Sequence, residues 1–334
     1  MRVVITGSIA LDHLMTFPGR FAEHLIADHL DEVSLSFLAD GLTVRRGGTG
    51  ANIALGLARL GHRPVLVGAA GPDFADYRAD LEDEGVDNAF VRVSAEQYTA
   101  RFVCTTDAVG NQIATFYPGA MSEAREVYLR PVADRLGGVD LVLIAPDDPD
   151  AMLRHTDECR RYGYPFAADP SQQLARMDGP AIRRLVDGAR YLFTNAYERE
   201  LLCQKTGWSE QDVLGRVGQW ITTRGRDGVV VEAVDRPRIG VPAVLTENEV
   251  DPTGVGDGFR AGFVCGVAWD LGPERAAEIG CALATLVLEV TGPQGYRLDP
   301  GRFTTMLTSA YGAGSADAVG PLLRAAVRET GAVR

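Results

Sequence analysis

Short apolar runs alternate with stretches of helical period along most of the chain, and this alternation constrains the fold more than any other feature of the sequence. Buried apolar strands that alternate with helices are typical of a parallel sheet covered by helices on both faces. The sequence therefore predicts an α/β fold with a doubly wound, mostly parallel sheet. The predicted strands are 3–6, 65–68, 90–93, 141–145, 166–168, 191–194, 220–223 and 229–232. The predicted helices are 51–60, 74–84, 149–162, 182–187, 197–205, 256–270, 274–288 and 303–311.

Two β-rich segments interrupt the alternation and predict a second, smaller sheet. The first has strand patterns at 32–38 and 41–45 around an Asp40-Gly41 turn, and the second has them at 100–106 and 112–117. We expect this small sheet to stand over the active edge of the main sheet as a lid. The expected division is an α/β domain (1–14, 47–97 and 119–312), a β lid (15–46 and 98–118) and a C-terminal tail or helix (313–334) with no assigned function.

Composition excludes several classes of protein. The 334 residues carry a formal net charge of −12, which argues against general nucleic-acid binding. The only lysine is Lys205, and its surroundings match neither a phosphate-binding Walker A loop nor a pyridoxal site. The five cysteines are dispersed without a Cys-x-x-Cys pair, which disfavours disulfides and zinc. The N-terminus resembles a strand rather than a signal peptide, and no apolar run approaches the ~18 residues of a membrane span. We expect a cytoplasmic protein.

The segment from Asp251 to Phe263 is the strongest candidate for chemistry. Gly254 and Gly256 allow backbone N–H groups to approach an anion, at the start of a predicted helix whose N-terminus adds positive potential. Asp257 in the first helical turn could accept a proton from an attacking hydroxyl. A tight turn followed by a capping aspartate is the structural alternative.

Three further segments carry polar residues near predicted strand ends. A glycine loop precedes Asn52, an Asn195-x-x-Glu198 pair follows one strand, and a turn containing Arg226 joins two others. Each has a plain structural alternative, namely a helix entry, a capping box and a hairpin turn. The ends of neighbouring parallel strands face one crevice, so the order of these candidate segments along the chain favours a common site.

The two glycine segments resemble the two signatures of the ribokinase-type (PfkB) sugar and nucleoside kinases. One is Gly47-Gly48-x-Gly50-x-Asn52-x-Ala54, and the other runs from Asp251 to Val264, departing from the family at Val255, where a small residue is commoner. The resemblance covers about residues 1–312. It implies a ribokinase-like fold, with ATP as phosphoryl donor and Mg²⁺ as cofactor.

Within the family the chain most resembles the bacterial adenosine kinases. The matching runs are 7–13, 34–38, 101–106, 116–122 and 169–176. This likeness implies an alcohol phosphotransferase that converts adenosine to AMP at its 5′-hydroxyl, in purine salvage. Asp257 would act as the base, and Gly254, Val255 and Gly256 would stabilise the developing charge.

The resemblance also implies roles for other residues. Asp12, Gly48 and Asn52 would hold the ribose, and Phe102 and Phe116 would sandwich the purine. Candidates for the adenine edge are Ser8, Ser36, Gln172 and Gln173. The ATP-binding residues would be Asn195, Thr223, Gly225, Arg226, Gly228 and Gly256. Asn195 and Glu198 would organise Mg²⁺ through water. Asp251 and Thr253, with carbonyls in 289–296, would form a monovalent-cation site for K⁺.

Several alternatives remain open. The first is a ribokinase-type kinase that acts on ribose, fructose or another nucleoside. Another is a nucleoside-binding protein without catalysis, which the intact Asp257 disfavours. A Rossmann oxidoreductase is disfavoured because no Gly-x-Gly-x-x-Gly follows the first strand. The lid is expected to have free strand edges and exposed apolar residues such as Phe37, which makes a homodimer through the lid an expectation.

Overall fold

A nine-stranded sheet forms the centre of the protein in the computed structural model, which describes residues 1–24 and 35–330. The described strands, in chain order, are β1 (Val3–Thr6), β2 (Ala10–Thr16), β3 (Gly41–Gly47), β4 (Val65–Ala70), β5 (Asp87–Val93), β6 (Ala100–Thr106), β7 (Gln112–Tyr117), β8 (Leu141–Ile144), β9 (Phe166–Ala168), β10 (Tyr191–Asn195), β11 (Gln219–Thr223), β12 (Val229–Glu232) and β13 (Ile239–Val241). The large sheet has the order β13-β12-β11-β10-β9-β8-β1-β4-β5. Its strands are parallel from β5 to β11, and β12 and β13 continue the sheet in antiparallel pairs. The predicted fold class is confirmed.

Helices cover both faces of this sheet. The described α-helices are α1 (Thr49–Arg59), α2 (Ala75–Asp83), α3 (Leu129–Leu136), α4 (Pro149–Tyr162), α5 (Gly179–Val186), α6 (Ala196–Thr206), α7 (Glu210–Leu214), α8 (Val255–Ala268), α9 (Pro273–Leu288), α10 (Pro300–Tyr311) and α11 (Ala313–Thr330). Among them, none is both long and apolar enough to cross a lipid bilayer. The C-terminal helix α11 packs on the core through Val319 and Leu323, which are fully buried.

Each apolar strand contributes to two separate cores because its side chains alternate between the faces of the sheet. In β1, Val3 and Ile5 join a cluster with α1, α8 and α9, whereas Val4 joins a cluster with α4 and α5 on the opposite face. In β8, Leu141 and Leu143 belong to the first cluster and the residues between and after them to the second. Double-sided burial explains why these strands have continuous apolar sequences.

The small sheet has four strands in the order β3-β2-β6-β7. It begins earlier than predicted: Ala10–Thr16 pairs with β3 and β6, whereas the expected boundary placed residues 10–14 in the α/β domain. Both partners of β2 are distant in sequence, so local pattern could not reveal this pairing. The predicted strand at 32–38 is not found at 35–38, which have no regular structure, and 32–34 lie outside the described residues.

The start of α1 packs backbone to backbone against the end of β1. A Cβ atom on Gly50 would lie 2.6 Å from the carbonyl carbon of Gly7, and one on Gly7 would lie 2.7 Å from the Gly50 Cα. The Gly50 N–H donates to the Ser8 carbonyl at 3.1 Å. This close approach brings the N-terminal glycine loop onto the edge of the main sheet where the strands end.

Replacing Gly50→Ala should therefore destabilise the folded chain. Overpacking at a close backbone contact costs roughly 1–3 kcal/mol, so we expect a clear loss in urea or thermal unfolding without ligand. Gly240→Ala is the matched control, because a Cβ at Gly240 in β13 meets no atom within 4 Å. An unfolding free energy equal to that of the parent would contradict this packing argument.

Candidate active site

The N-terminus of α8 lies where the two glycine segments meet. Gly254 precedes the helix with a φ of 78°, and a Cβ there would come within 2.3 Å of Pro293. Both the left-handed conformation and the close contact require glycine. The first N–H groups of a helix lack intrahelical partners and carry partial positive charge, so this turn can stabilise an anion.

Asp257, in the first turn of α8, is held by Asn52 of α1. The Asn52 Nδ2 donates to Asp257 Oδ2 at 2.8 Å. Burial raises the pKa of Asp257 to about 7, because it disfavours the charged form more than the Asn52 hydrogen bond and the Arg260 charge favour it. The negative charge of Asp169 raises it further. Asp257 can thus exchange a proton near neutral pH.

A buried ion pair joins α8 to the end of β9. Arg260 Nη2 donates to Asp169 Oδ1 at 2.7 Å, and both side chains are almost fully buried, at 7% and 0% exposure. Arg260 Nη1 donates to the Gly256 carbonyl at 3.0 Å. Sequence analysis missed this pair. The available signal was an aspartate and a proline directly after a predicted strand.

A cavity of about 540 Å³ lies between the small sheet and the main sheet, with Asp257 in its wall. It brings together almost all predicted substrate residues. Its lining includes Ser8, Asp12, Gly48, Asn52, Phe102, Phe116, Gln172, Gln173, Thr253, Gly254 and Asp257. Ser36 is exposed and does not line the cavity.

Strand register places four lid residues in one row across the small sheet. Arg45 on β3 is paired with Asp12 on β2, Asp12 with Phe102 on β6, and Phe102 with Phe116 on β7. Residues paired in this way lie side by side on one face. The predicted sandwich is therefore wrong in its geometry: Phe102 and Phe116 form a one-sided platform, since both belong to one hairpin.

Asp12 lies in this row between an arginine and the aromatic rings. Burial raises the pKa of Asp12 to about 6, while the positive charge of Arg45 lowers it and the charge of Asp251 raises it. Above that pH Asp12 is a carboxylate, which can accept hydrogen bonds from a pair of neighbouring hydroxyls.

A second cavity, of about 300 Å³, lies on the other side of the α8 N-terminus. All predicted residues of the 223–228 turn line it, namely Thr223, Gly225, Arg226 and Gly228, together with Val255 and Gly256. The rest of its wall is largely apolar and was missed by sequence analysis; it includes Ala243, Val244, Leu245, Ala284 and Leu288. The Arg226 guanidinium is exposed and forms an ion pair with Glu249 at 2.7 Å.

Asn195 and Glu198 form a capping box at the start of α6. Asn195 Oδ1 accepts from the Glu198 N–H at 2.8 Å, and Glu198 Oε2 accepts from the Asn195 N–H at 2.7 Å. The structural alternative considered for this pair is thus present. Within the part of the chain that the structure describes, Glu198 Oε1 has a single long contact, 3.5 Å, with the Ser171 hydroxyl. Burial raises the pKa of this carboxyl group.

Asp251 receives hydrogen bonds at both of its carboxylate oxygens. Its Oδ1 accepts from the Thr253 N–H at 2.9 Å and its Oδ2 from the Gly292 N–H at 2.9 Å. The Arg45 Nη1 lies 3.3 Å from the same Oδ2. Asp251 joins the α8 loop to residues 289–296 through the Gly292 N–H rather than through the carbonyls expected for a cation site, and an arginine already supplies positive charge there.

Comparison with known proteins identifies the family. The model of the pfkB family of carbohydrate kinases matches residues 8–298. A nucleoside kinase of Methanothermobacter thermautotrophicus is 30% identical over 316 residues, which span 93% of this chain and 96% of that protein. The ribokinase of Bacillus subtilis is 26% identical, over 88% of this chain and 94% of that protein.

A solved structure shows the same fold. The nucleoside kinase of Burkholderia thailandensis in complex with inosine is 35% identical and superposes with a TM-score of 0.81, over 93% of this chain and 98% of that one. The chain belongs to the pfkB family of carbohydrate kinases, and it is a ribokinase-type phosphotransferase that acts on a sugar or a nucleoside.

Proposed function

We propose that this protein transfers the γ-phosphoryl group of ATP to the 5′-hydroxyl of a purine nucleoside, with adenosine as the first candidate substrate. The observation that carries this proposal is the row from Asp12 to Phe116, which offers a ribose-binding carboxylate beside an aromatic platform in the cavity of Asp257. A simple sugar needs no aromatic platform for its ring, whereas a base can stack on one.

The wall opposite the lid supplies polar contacts for a base. Gln172 and Gln173 line the cavity, and the Gln173 Nε2 donates to the Asp147 carbonyl at 2.8 Å. A glutamine amide can donate to or accept from the polar edge of adenine and also that of hypoxanthine. The relative from Burkholderia thailandensis was solved with inosine, so inosine is the nearest competing substrate.

In the proposed reaction the 5′-oxygen attacks the γ-phosphorus and its proton passes to Asp257. The new bond joins the 5′-oxygen to phosphorus, the bond to the β-γ bridging oxygen breaks, and ADP leaves with the released electron pair. Backbone N–H groups of the Gly254–Gly256 turn stabilise the charge on the phosphoryl oxygens. This arrangement uses both cavities, since the turn separates them.

The nucleotide would occupy the second cavity, with its phosphates along the 223–228 turn and its base against the apolar wall. Glu198 suits a contact to Mg²⁺ through water, because among the described residues its Oε1 contacts only the Ser171 hydroxyl, at 3.5 Å. Mg²⁺ held by Asn195 and Glu198 would neutralise charge on the ATP phosphates.

The role of Asp257 can be tested by Asp257→Asn, which keeps the shape of the side chain and its contact with Asn52 but accepts no proton. We expect turnover to fall by about 10²-fold or more, with nucleoside binding nearly unchanged. Because the base must be deprotonated, kcat/KM of the parent should fall as the pH drops below about 7. Turnover within a few-fold of the parent would reject this assignment, and no turnover with any nucleoside or sugar in the parent would favour a binding protein.

The substrate class can be tested with Phe102→Ala. Stacking contributes about 1–3 kcal/mol per base, so the KM for adenosine and inosine should rise roughly 5- to 150-fold. Ribose and fructose should be affected much less, because Asp12, Gly48 and Asn52 remain.

Val103→Ala is the matched control, since Val103 lies next to Phe102 in β6 but outside the cavity. A similar rise for all substrates, or none in a folded enzyme, would reject stacking and favour a sugar kinase. A panel of adenosine, inosine, guanosine, ribose and fructose then ranks the substrates.

We also propose that K⁺ assists the loop of Asp251 and Thr253, while Arg45 supplies part of the positive charge. Replacing K⁺ by tetramethylammonium at constant ionic strength should lower turnover at saturating substrate by about two- to tenfold, or up to ~1.4 kcal/mol of barrier. The loss should be larger in Arg45→Gln. Equal rates of the parent in both salts would remove K⁺ from the proposal.

A homodimer through the lid and a cytoplasmic location remain predictions. The lid face opposite the cavity carries Leu42, Val44 and Ile113, which are exposed by 48–63%. Phe37, offered as an exposed residue for this contact, is half-buried and packs against Phe17 and Phe21. Light scattering of the purified protein would measure the oligomeric state.

A further inference from the structure

A chain of hydrogen bonds runs from Asp257 away from the nucleoside cavity. Asn52, which donates to Asp257, accepts at its Oδ1 from Gln294 Nε2 at 2.8 Å. The same Nε2 donates to the Tyr77 hydroxyl at 2.5 Å, and that hydroxyl donates to the Gly47 carbonyl at 3.0 Å. Asn52 and Tyr77 are buried, at 8% and 2% exposure.

The direction of every bond in this chain follows from its last acceptor. The Gly47 carbonyl can only accept, so the single Tyr77 proton points to it and the Tyr77 oxygen must accept from Gln294. Gln294 therefore presents its N–H₂ end to Asn52. Asn52 in turn presents its oxygen to Gln294 and its N–H₂ end to Asp257. Burial raises the pKa of Tyr77, so its proton stays in place.

The loop that carries Gln294 is itself anchored. Arg59 Nη1 donates to the carbonyls of Gln294 at 2.9 Å and Tyr296 at 2.7 Å, and its Nη2 forms an ion pair with Glu84 at 2.8 Å. Neither Gln294 nor Tyr77 is among the described residues that line the 540 Å³ cavity of Asp257, where the nucleoside is proposed to bind. Both line a separate cavity of about 560 Å³. They cannot act by touching the substrate.

We propose that Gln294 and Tyr77 are positioning residues that hold the Asn52 amide in the one orientation that donates to the base. This inference rests on the proposed function of Asp257. Without this chain of hydrogen bonds, the Asn52 amide can turn over and present its oxygen to Asp257. The hydrogen bond is then lost, and two hydrogen-bond acceptors face each other.

The consequence is a shift in the protonation of Asp257. Other charged and titratable groups near Asp257 are Arg260 of α8, Asp169 after β9, Tyr77 of α2 and Tyr296, and the same cavity is lined by Asp12 of β2 and by Arg176. Substituting Gln294 leaves these groups in place. Gln294→Met adds no charge, whereas Gln294→Glu adds a carboxylate whose own charge raises the pKa of Asp257. The Asn52 hydrogen bond favours the carboxylate, so its loss raises the pKa of Asp257 and depletes the base at neutral pH.

The test compares pH profiles of Gln294→Glu, Gln294→Met and Tyr77→Phe with the parent. The glutamate carboxylate cannot donate to Asn52, the methionine keeps only the length, and the phenylalanine loses only the hydroxyl. We expect the acid limb of kcat/KM to move up by roughly one pH unit in Gln294→Met, by more in Gln294→Glu because of its added charge, and by less in Tyr77→Phe, so that Gln294→Met isolates the effect of the Asn52 hydrogen bond. The nucleoside KM above the limb should rise by no more than about tenfold, because a turned Asn52 amide changes one of three proposed ribose contacts and leaves Asp12 and Gly48 intact.

Tyr311→Phe is the matched control, because the Tyr311 hydroxyl also donates to a carbonyl, that of Pro242, but outside this chain of bonds. Carboxyl ¹³C NMR of Asp257 supplies a readout besides activity and should show the same rise in pKa. If the Gln294 variants lose activity with the acid limb and the NMR titration unchanged, the residues are only structural and the proposal is overturned.

Two further outcomes separate this inference from the proposed function. If the Gln294 variants do not fold, Tyr77→Phe becomes the deciding variant, because it removes one oxygen and keeps the ring. An acid limb of kcat/KM at the same pH in Tyr77→Phe as in the parent would then reject the positioning role. If kcat/KM of the parent shows no acid limb, or Asp257→Asn keeps its turnover, the assignment of Asp257 as base is wrong. The positioning role of Gln294 and Tyr77 is then rejected because it depends on that assignment.

Discussion

The buried ion pair between Arg260 and Asp169 is the interaction on which the site depends. Removing two charges from water is costly, and such a pair is stable only with close geometry and further hydrogen bonds. Here Arg260 also donates to the Gly256 carbonyl, so one guanidinium joins the end of β9 to the first turn of α8. That turn separates the two cavities and carries Asp257, whose pKa responds to both charges of the pair.

The turn lies between two cavities with different surfaces. The larger of these two combines carboxylate, amide and aromatic side chains under the small sheet, a mixture that suits the hydroxyls and the base of the proposed nucleoside. The smaller one combines a glycine turn with an apolar wall from α9 and residues 243–245, as a nucleotide would require. Family membership and this division of chemistry support the same reaction class. The residues proposed to select the nucleoside lie outside the two glycine signatures.

Candidate residues were predictable where local sequence limits the backbone. Gly254 has a positive φ and lies directly before a helix, and a glycine-rich sequence at a helix start is typical of such a turn. Residues that act through distant contacts were not predictable. Arg45 reaches Asp251 and Gln294 reaches Asn52 across about two hundred positions of sequence. Phe102 and Phe116 lie side by side because the strand register pairs them. The hairpin pattern in the sequence does not give this register, so it could not distinguish a sandwich from a platform.

The α/β class, the glycine turns and the set of polar groups at strand ends could all be predicted from local sequence. These depend on hydrophobic period and on backbone conformations that few residues can adopt. Three features became visible only in the folded chain: β2 belongs to the small sheet, Asp169 pairs with Arg260, and Asp257 lies where burial raises its pKa. Strand pairing, burial and electrostatic environment depend on which distant segments come into contact, and local sequence patterns do not specify those contacts.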